Sequence, residues 1–358
     1  MDATLGQLVE QVRGATQART PLRIRAGGSK DFYGNPSRGQ ILDPRPWQGI
    51  EAYDPSELVV TARAGTRLAE LEAVLAAQGQ MLAFEPPHFG PDATVGGCVA
   101  AGLAGPRRAS AGYTHGGLRD FLLGARLLDG RGQLLRFGGT VMKNVAGYDV
   151  ARVLAGSLGV LGLLVDVSLK VLPLPRAEVT LRFELGEAQA LERLCDWQGR
   201  PLPVSGSAWC QGALTVRLSG AEAALAAARG RLGGEAIAAA DASAFWQDLR
   251  EHQLEWFAGE LPLWRLAVPP QAPPLALVGA QLIEWGGGQR WLRSAQAPAR
   301  IREEAARLGG HATLFRGGDR AGGVFSPLNP ALLAIHRRLK QAFDPAGIFN
   351  PDRLVQGL

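Results

Sequence analysis

Apolar positions recur along this chain with two alternating periods. Leu5, Leu8, Val9 and Val12 share one face of a short helix over residues 5–14. Residues 22–25 form a brief strand that stops at the pair Gly27-Gly28, and residues 58–63 a second, introduced by the turn signal Asp54-Pro55-Ser56. Leu68, Leu71, Val74 and Leu75 make the stripe of an amphipathic helix over 66–78, with Gly79 placed to cap its C-terminus. Strands return at 120–128 and 133–136 around the turn Asp129-Gly130, and at 163–172 before Pro173 and Pro175.

The pattern changes after residue 175. Segments 179–185, 213–218, 261–268, 277–283 and 311–316 read as strands, and 221–231, 241–258 and 298–308 as helices. Interleaving at this spacing predicts a separate α+β domain. Asn329-Pro330 supplies an N-cap and a first-turn proline for a last helix ending at Phe343.

At 358 residues the chain is too long for one core, so two or more domains are expected. Three scattered cysteines argue against a disulfide framework and for a reducing compartment. Asp2 and Glu10 are unlike a signal peptide, and the uncharged run 153–165 is shorter than the roughly 20 residues of a membrane span. A soluble, cytoplasmic protein is expected, one able to dock at the inner face of the membrane through a partner. The net charge of +5 is spread, mostly as arginine, with no basic block. That disfavours nucleic acid and suits an anionic cofactor and a small carboxylate.

Three glycine-bearing segments carry the candidate chemistry. In the first, Ala26-Gly27-Gly28-Ser29-Lys30 directly follows a strand. Adjacent glycines can aim successive N–H groups at one point as an anion nest, or simply make a tight turn. In the second, Thr94 caps a small-residue helix containing Gly96 and Gly97. Its first turn could bind an anion, or the helix could be no more than tight packing. The third runs from Lys143 to Asp149 and then through Gly156, Gly159, Gly162 and Leu163. It is either a phosphate loop or a place where flat rings lie on bare backbone. Neither a Walker loop nor an early G-x-G-x-x-G is present.

In this order, GGS, P-x-A-T-V-G-G, K-N-x-A-G-Y-D and G-S-x-G-x-x-G resemble the vanillyl-alcohol oxidase/p-cresol methylhydroxylase (PCMH-type) flavoprotein superfamily. The tail LKQAFDPAGIFNP is similar to its C-terminal signature. FEPPHFGPDATVGG, LAGPRR and GGHATLFRGGDR further resemble the smaller FAD-binding subunits of bacterial glycolate oxidases. The resemblance implies a bipartite α+β FAD domain over residues 1–175, rejoined by 328–358, with an α+β cap containing an antiparallel sheet over 176–327. It places the FAD pyrophosphate on Ala26, Gly27, Gly28, Ser29 and Lys30. Thr94, Gly96 and Gly97 would hold the diphosphate or ribityl side. Gly156, Gly159, Gly162 and Leu163 would approach flavin and adenine, and Asn350 would close the site.

Some relatives bind flavin covalently through a histidine near the first loop, where this chain has Ser29 and Lys30, so FAD is expected to be non-covalent; His88 is the one nearby alternative. The segment 112–117, with Tyr113 and His115, is longer than the usual approach to Arg119-Asp120, and Asp352 replaces the glycine usual after N-P. The metal-binding histidines of larger relatives have no counterpart here, so no metal is expected and the five histidines read as packed or surface residues. His311 and Arg316 are the candidates for substrate contact, and no residue declares itself as a catalytic base. Trp246, Trp256 and Phe257 lie at helical spacing and read as core.

The function implied is that of a subunit oxidising glycolate, or another 2-hydroxy acid, to glyoxylate through FAD, with a larger FAD-containing subunit and an iron–sulfur subunit as partners. A stand-alone 2-hydroxyacid dehydrogenase and a flavin-binding assembly module are the alternatives.

Overall fold

A computed structural model describes residues 2–109, 116–140 and 148–358. The expectations for Tyr113 and His115, and for Lys143 to Gly147, lie outside these residues.

The class is α+β, as expected. Helix Ala3–Ala18 buries Leu5, Leu8, Val9 and Val12, the stripe read from the sequence, and Asp2 caps it by accepting from Thr4 N. Strand Leu22–Ile24 pairs in parallel with Gln40–Leu42. The chain's tail returns to this pair: Leu22 N donates to Ile348 O at 2.7 Å, and Asn350 N to Leu22 O at 2.9 Å.

A five-stranded antiparallel sheet lies beside it, in the order Ile50–Asp54, Val59–Arg63, Leu163–Lys170, Leu122–Leu128, Leu134–Gly138. Its central strand, Leu163–Lys170, is buried along nearly all its length, so even its polar members Asp166 and Ser168 lie inside. Helices Leu68–Ala77 and Val95–Ala101 contribute Leu68, Leu71, Leu75, Val95 and Val99 to the same core. Val74, expected on that stripe, is 40% exposed.

Residues 177–316 supply an eight-stranded antiparallel sheet in the order Glu235–Ala236, Ala177–Glu184, Ala213–Gly220, Val204–Cys210, Ala280–Glu284, Gln289–Arg293, Leu263–Ala267, His311–Arg316. Helices Glu187–Gln198 and Glu222–Leu232 contribute to one core cluster of this sheet, and Pro298–Arg307 to another. The helix expected over 241–258 is Ala239–Glu251, ended by His252 in the left-handed region and followed by the short turn Glu255–Phe257. A buried ionic cluster ties this sheet to the loop after Phe84. Glu85 accepts from Arg107 N at 3.0 Å and from Arg217 of strand Ala213–Gly220 at 2.9 Å. Helix Pro330–Phe343 then leads back, capped by Asn329 as expected, its side chain accepting from Leu332 N.

Candidate cofactor site

One cleft collects most of the glycine-bearing segments. Its walls include Ala26, Gly27, Gly28, Ser29, Lys30, Thr94, Gly96, Gly97, Gly159, Gly162, Leu163 and Asn350. They come from the loop after strand Leu22–Ile24, from the first turn of helix Val95–Ala101 and its cap, from the loop leading into strand Leu163–Lys170 and the first residue of that strand, and from the tail.

The first loop is built to present donors. Arg25 N still bonds Leu42 O, but among the described residues none of the backbone N–H groups from Ala26 to Lys30 has an acceptor. Unpaired N–H groups on a wall are costly unless water or a ligand meets them. Gly28 supports the turn with φ +71°, a conformation that side chains rarely adopt. Gly27 is required for another reason: a Cβ there would lie 1.6 Å from the carbonyl oxygen of Asp92. The charge of the walls has the same sense. Arg23, Arg25, Lys30 and Arg353 line the cleft, with Asp31 as the carboxylate between Arg23 (3.0 Å) and Arg25 (2.6 Å). Lys30 has no ion-pair partner among the described residues; its Nζ donates to His88 O at 3.1 Å, and burial lowers its pKa from 10.5.

Residues 3–138 match the family described as FAD binding domain, and 322–354 match FAD linked oxidases, C-terminal domain. The chain is 50% identical over 98% of its length to glycolate oxidase subunit GlcE of Escherichia coli, of which it covers 97%. It belongs to the glycolate oxidase subunit GlcE family. Over 46% of its length it is also 33% identical to a D-lactate dehydrogenase of Anaerostipes hadrus, and over 46% it is 29% identical to glycolate oxidase subunit GlcD of Bacillus subtilis, covering 32% and 35% of those chains. Among solved structures, alkyldihydroxyacetonephosphate synthase aligns over 98% of this chain and 76% of its own, with a TM-score of 0.65 at 15% identity, a likeness of fold alone.

FAD is therefore the cofactor to test against the cleft, and the first loop fits it: consecutive free donors and a half-buried ammonium without a carboxylate partner among the described residues are what a pyrophosphate needs. The second segment offers something different. Val95 N bonds Thr66 O (2.9 Å), Gly96 N bonds Ala64 O (2.9 Å) and Gly97 N bonds the Thr94 hydroxyl (3.2 Å). Thr94 caps its helix as expected, yet the first turn has no donor left for an anion, and it meets the cleft as a wall.

The third segment divides. Gly159, at φ +73°, and Gly162 line the cleft, and a Cβ on Gly159 would come within 2.7 Å of Asn350 Nδ2. Gly156 lies off the cleft wall, with its N–H bonded to Val99 O and its Cα against Gly102. Asn350 is less a lid than a brace: its Oδ1 accepts from Ile24 N at 2.7 Å and its Nδ2 donates to Leu158 O at 2.6 Å. Asp352 has φ +65°, the conformation for which glycine is usual, and its carboxylate holds the turn by accepting from Gly357 N at 2.7 Å.

His88 is off the cleft wall, with Nε2 at 2.9 Å from Glu72. His311 is exposed at the start of strand His311–Arg316, whereas Arg316, at its other end, stacks over Phe32 at 4.5 Å. Sequence reasoning missed Arg23, Arg25 and Arg353. The alternation R-I-R on the strand entering the glycine pair was the available signal for the first two.

Proposed function

We propose that this chain is the FAD-binding subunit of a glycolate-oxidising complex, acting on the CH–OH group of a 2-hydroxy acid and assembled with a larger flavoprotein subunit and an iron–sulfur subunit. In this reading residues 1–175 and 328–358 hold the cofactor and 176–327 cover it. FAD when bound supplies the two-electron chemistry. The protein binds and orients it: the donors of Ala26 to Lys30 and the cations of Lys30 and Arg353 face the pyrophosphate, while Gly97, Gly159 and Gly162 leave bare backbone for the rings. The binding is non-covalent, because Ser29 and Lys30 offer no flavin-linking histidine and the His88 ring is engaged by Glu72.

The observation that carries the reading is the run of five wall donors without acceptors among the described residues, in a member of the GlcE family. No helix among the described residues is long and apolar enough to cross a membrane, so association with one would go through the partners. The test is direct. Purified protein should be yellow, with about one FAD per chain released by acid precipitation. Glycolate should bleach the flavin when the partner subunits are present. Colourless protein that cannot be reconstituted with FAD, or colour that stays with the acid pellet, would refute the cofactor assignment or its non-covalent form.

A further inference from the structure

The eight-stranded sheet has two unlike faces. Register sets Arg265 opposite Trp291 and Thr313, and Glu284 opposite Gln289, so these side chains share one face. Trp264, Leu266, Leu292 and Leu314 share the other and pack with Ile301 and Ala305 of helix Pro298–Arg307. Between the first face and the loop carrying Phe89 lies a small cavity walled by Phe89, His252, Arg265, Glu284, Trp291 and Phe315.

Of its two wall arginines, Arg250 and Arg265, Arg250 is paired with Glu251 at 2.8 Å. Arg265 has one hydrogen-bond partner, the Tyr33 hydroxyl at 3.1 Å, and lies 5.7 and 5.8 Å from the rings of Tyr33 and Phe315. Outside the wall, Arg316 lies over Phe32 and Phe89, and the exposed Arg108 over Trp285 at 4.3 Å. None of the three arginines has an ion-pair partner among the described residues. The carboxylate in the wall, Glu284, accepts from Gln289 (2.9 Å) and Trp291 (2.5 Å), and burial pushes its pKa up to about 7. Burial and the nearby charges of Arg316 and Arg265 keep His252 neutral. A guanidinium among aromatic rings is expensive when the one carboxylate beside it, Glu284, is protonated, and an anion would then relieve the cost. Phe89 and His252, both in the wall, also sit at φ +54° and +56°. Such strain in bulky residues gathers at ligand sites.

We propose that this cavity is a subsite for a carboxylate of two or three carbons, with Arg265 as the anion clamp and the surrounding rings excluding larger acids. The inference rests on the flavin reading and deepens it by placing a substrate-class ligand on this chain. Phe89 joins the two sites, since its ring walls the cavity and lies 5.7 Å from Nζ of Lys30 on the cleft wall.

The test uses the full-length, FAD-loaded protein, with glycolate and glyoxylate as probes and binding read by calorimetry. Arg265→Met should weaken both by roughly 10- to 100-fold, the loss of one charge-assisted contact, with FAD content unchanged. Arg265→Lys keeps the charge without the fork and should weaken them less. Glu284 faces Gln289 and Trp291 on its own sheet, Arg250 and His252 on the neighbouring helix and its C-cap, and senses Arg265 and Glu85. Its ionisation adds a negative charge, so wild-type affinity should fall as pH rises through about 7, and Glu284→Gln should flatten that slope. Unchanged affinity in Arg265→Met overturns the subsite, as does FAD-replete wild-type protein that binds neither probe. If Arg265→Met does not fold, Arg265→Lys and Glu284→Gln decide, and no change in affinity or slope is fatal. Wild-type protein that cannot hold FAD would instead sink the flavin reading, so the two failures are distinguishable.

Discussion

Gly27-Gly28 and Gly96-Gly97 look alike in the sequence, each a glycine pair beside a strand or a cap, and both line the same cleft. Their backbones differ. The first pair belongs to a run of five N–H groups without acceptors among the described residues, while at the second the amides are bonded to Ala64 O and the Thr94 hydroxyl. A glycine pair thus marks close approach, and only the hydrogen-bond accounting says whether the approaching partner is a ligand or the protein itself.

The largest effect should come from Gly27→Ala. Its Cβ would meet the Asp92 carbonyl, which is backbone and cannot rotate away, so the donor loop must shift bodily. Loss of FAD from purified protein and a lower Tm are expected together; a yellow, equally stable variant would break the assignment of this loop. Gly96→Ala sharpens the contrast, because its Cβ would meet Ala64 Cβ at 2.6 Å. Overpacking of this kind costs about 1–3 kcal/mol. Denaturant titration should show that loss while the folded protein keeps a full complement of FAD. Thr94→Ala should be milder, about 1 kcal/mol for a lost helix cap, again with FAD retained. Selective loss of FAD in either variant would mean that the second pair also holds the ligand.

Much of the architecture was legible because one buried face leaves a period. Helix Ala3–Ala18, the cap at Thr94 and the helix after Asn329 follow directly from such patterns. Most of what escaped lacked one. Strand Val204–Cys210 is buried through its middle on both faces and is rich in serine and glycine, and Gln289–Arg293 is buried despite two arginines. Arg290 is fully buried there because Gly287 O and Ala272 O accept from it, a tertiary arrangement that no local pattern announces. Strands Gln40–Leu42 and Ile50–Asp54 are short and largely exposed, with almost no apolar face to read. Helix Glu187–Gln198 was missed although Ala190, Leu191, Leu194 and Trp197 bury one stripe. In the cleft, the glycine loops were found by their composition, whereas the bracing role of Asn350 and the placement of Arg353 depend on a contact between residues more than 300 apart.

The subtlest effect separates the two ends of the cleft by pH, through Lys30. Burial lowers its pKa below 10.5, so between the folded value and 10.5 the unfolded chain binds more protons than the folded one. Without FAD, the lysine's contribution to stability must therefore improve as pH rises through that window. With FAD, the sign reverses for binding, since a neutral amine no longer attracts the pyrophosphate. Lys30→Met isolates both terms from Lys340 and Arg353, whose pKa values are also lowered by burial. Relative to that variant, apo wild-type protein should gain stability in urea titrations toward pH 10.5, while its advantage in FAD affinity, expected at roughly 10-fold or more near neutrality, should shrink over the same range. If the variant holds FAD as tightly as wild type at pH 7, the ammonium does not face the cofactor, and the free backbone donors of the first loop must bind the anion without it.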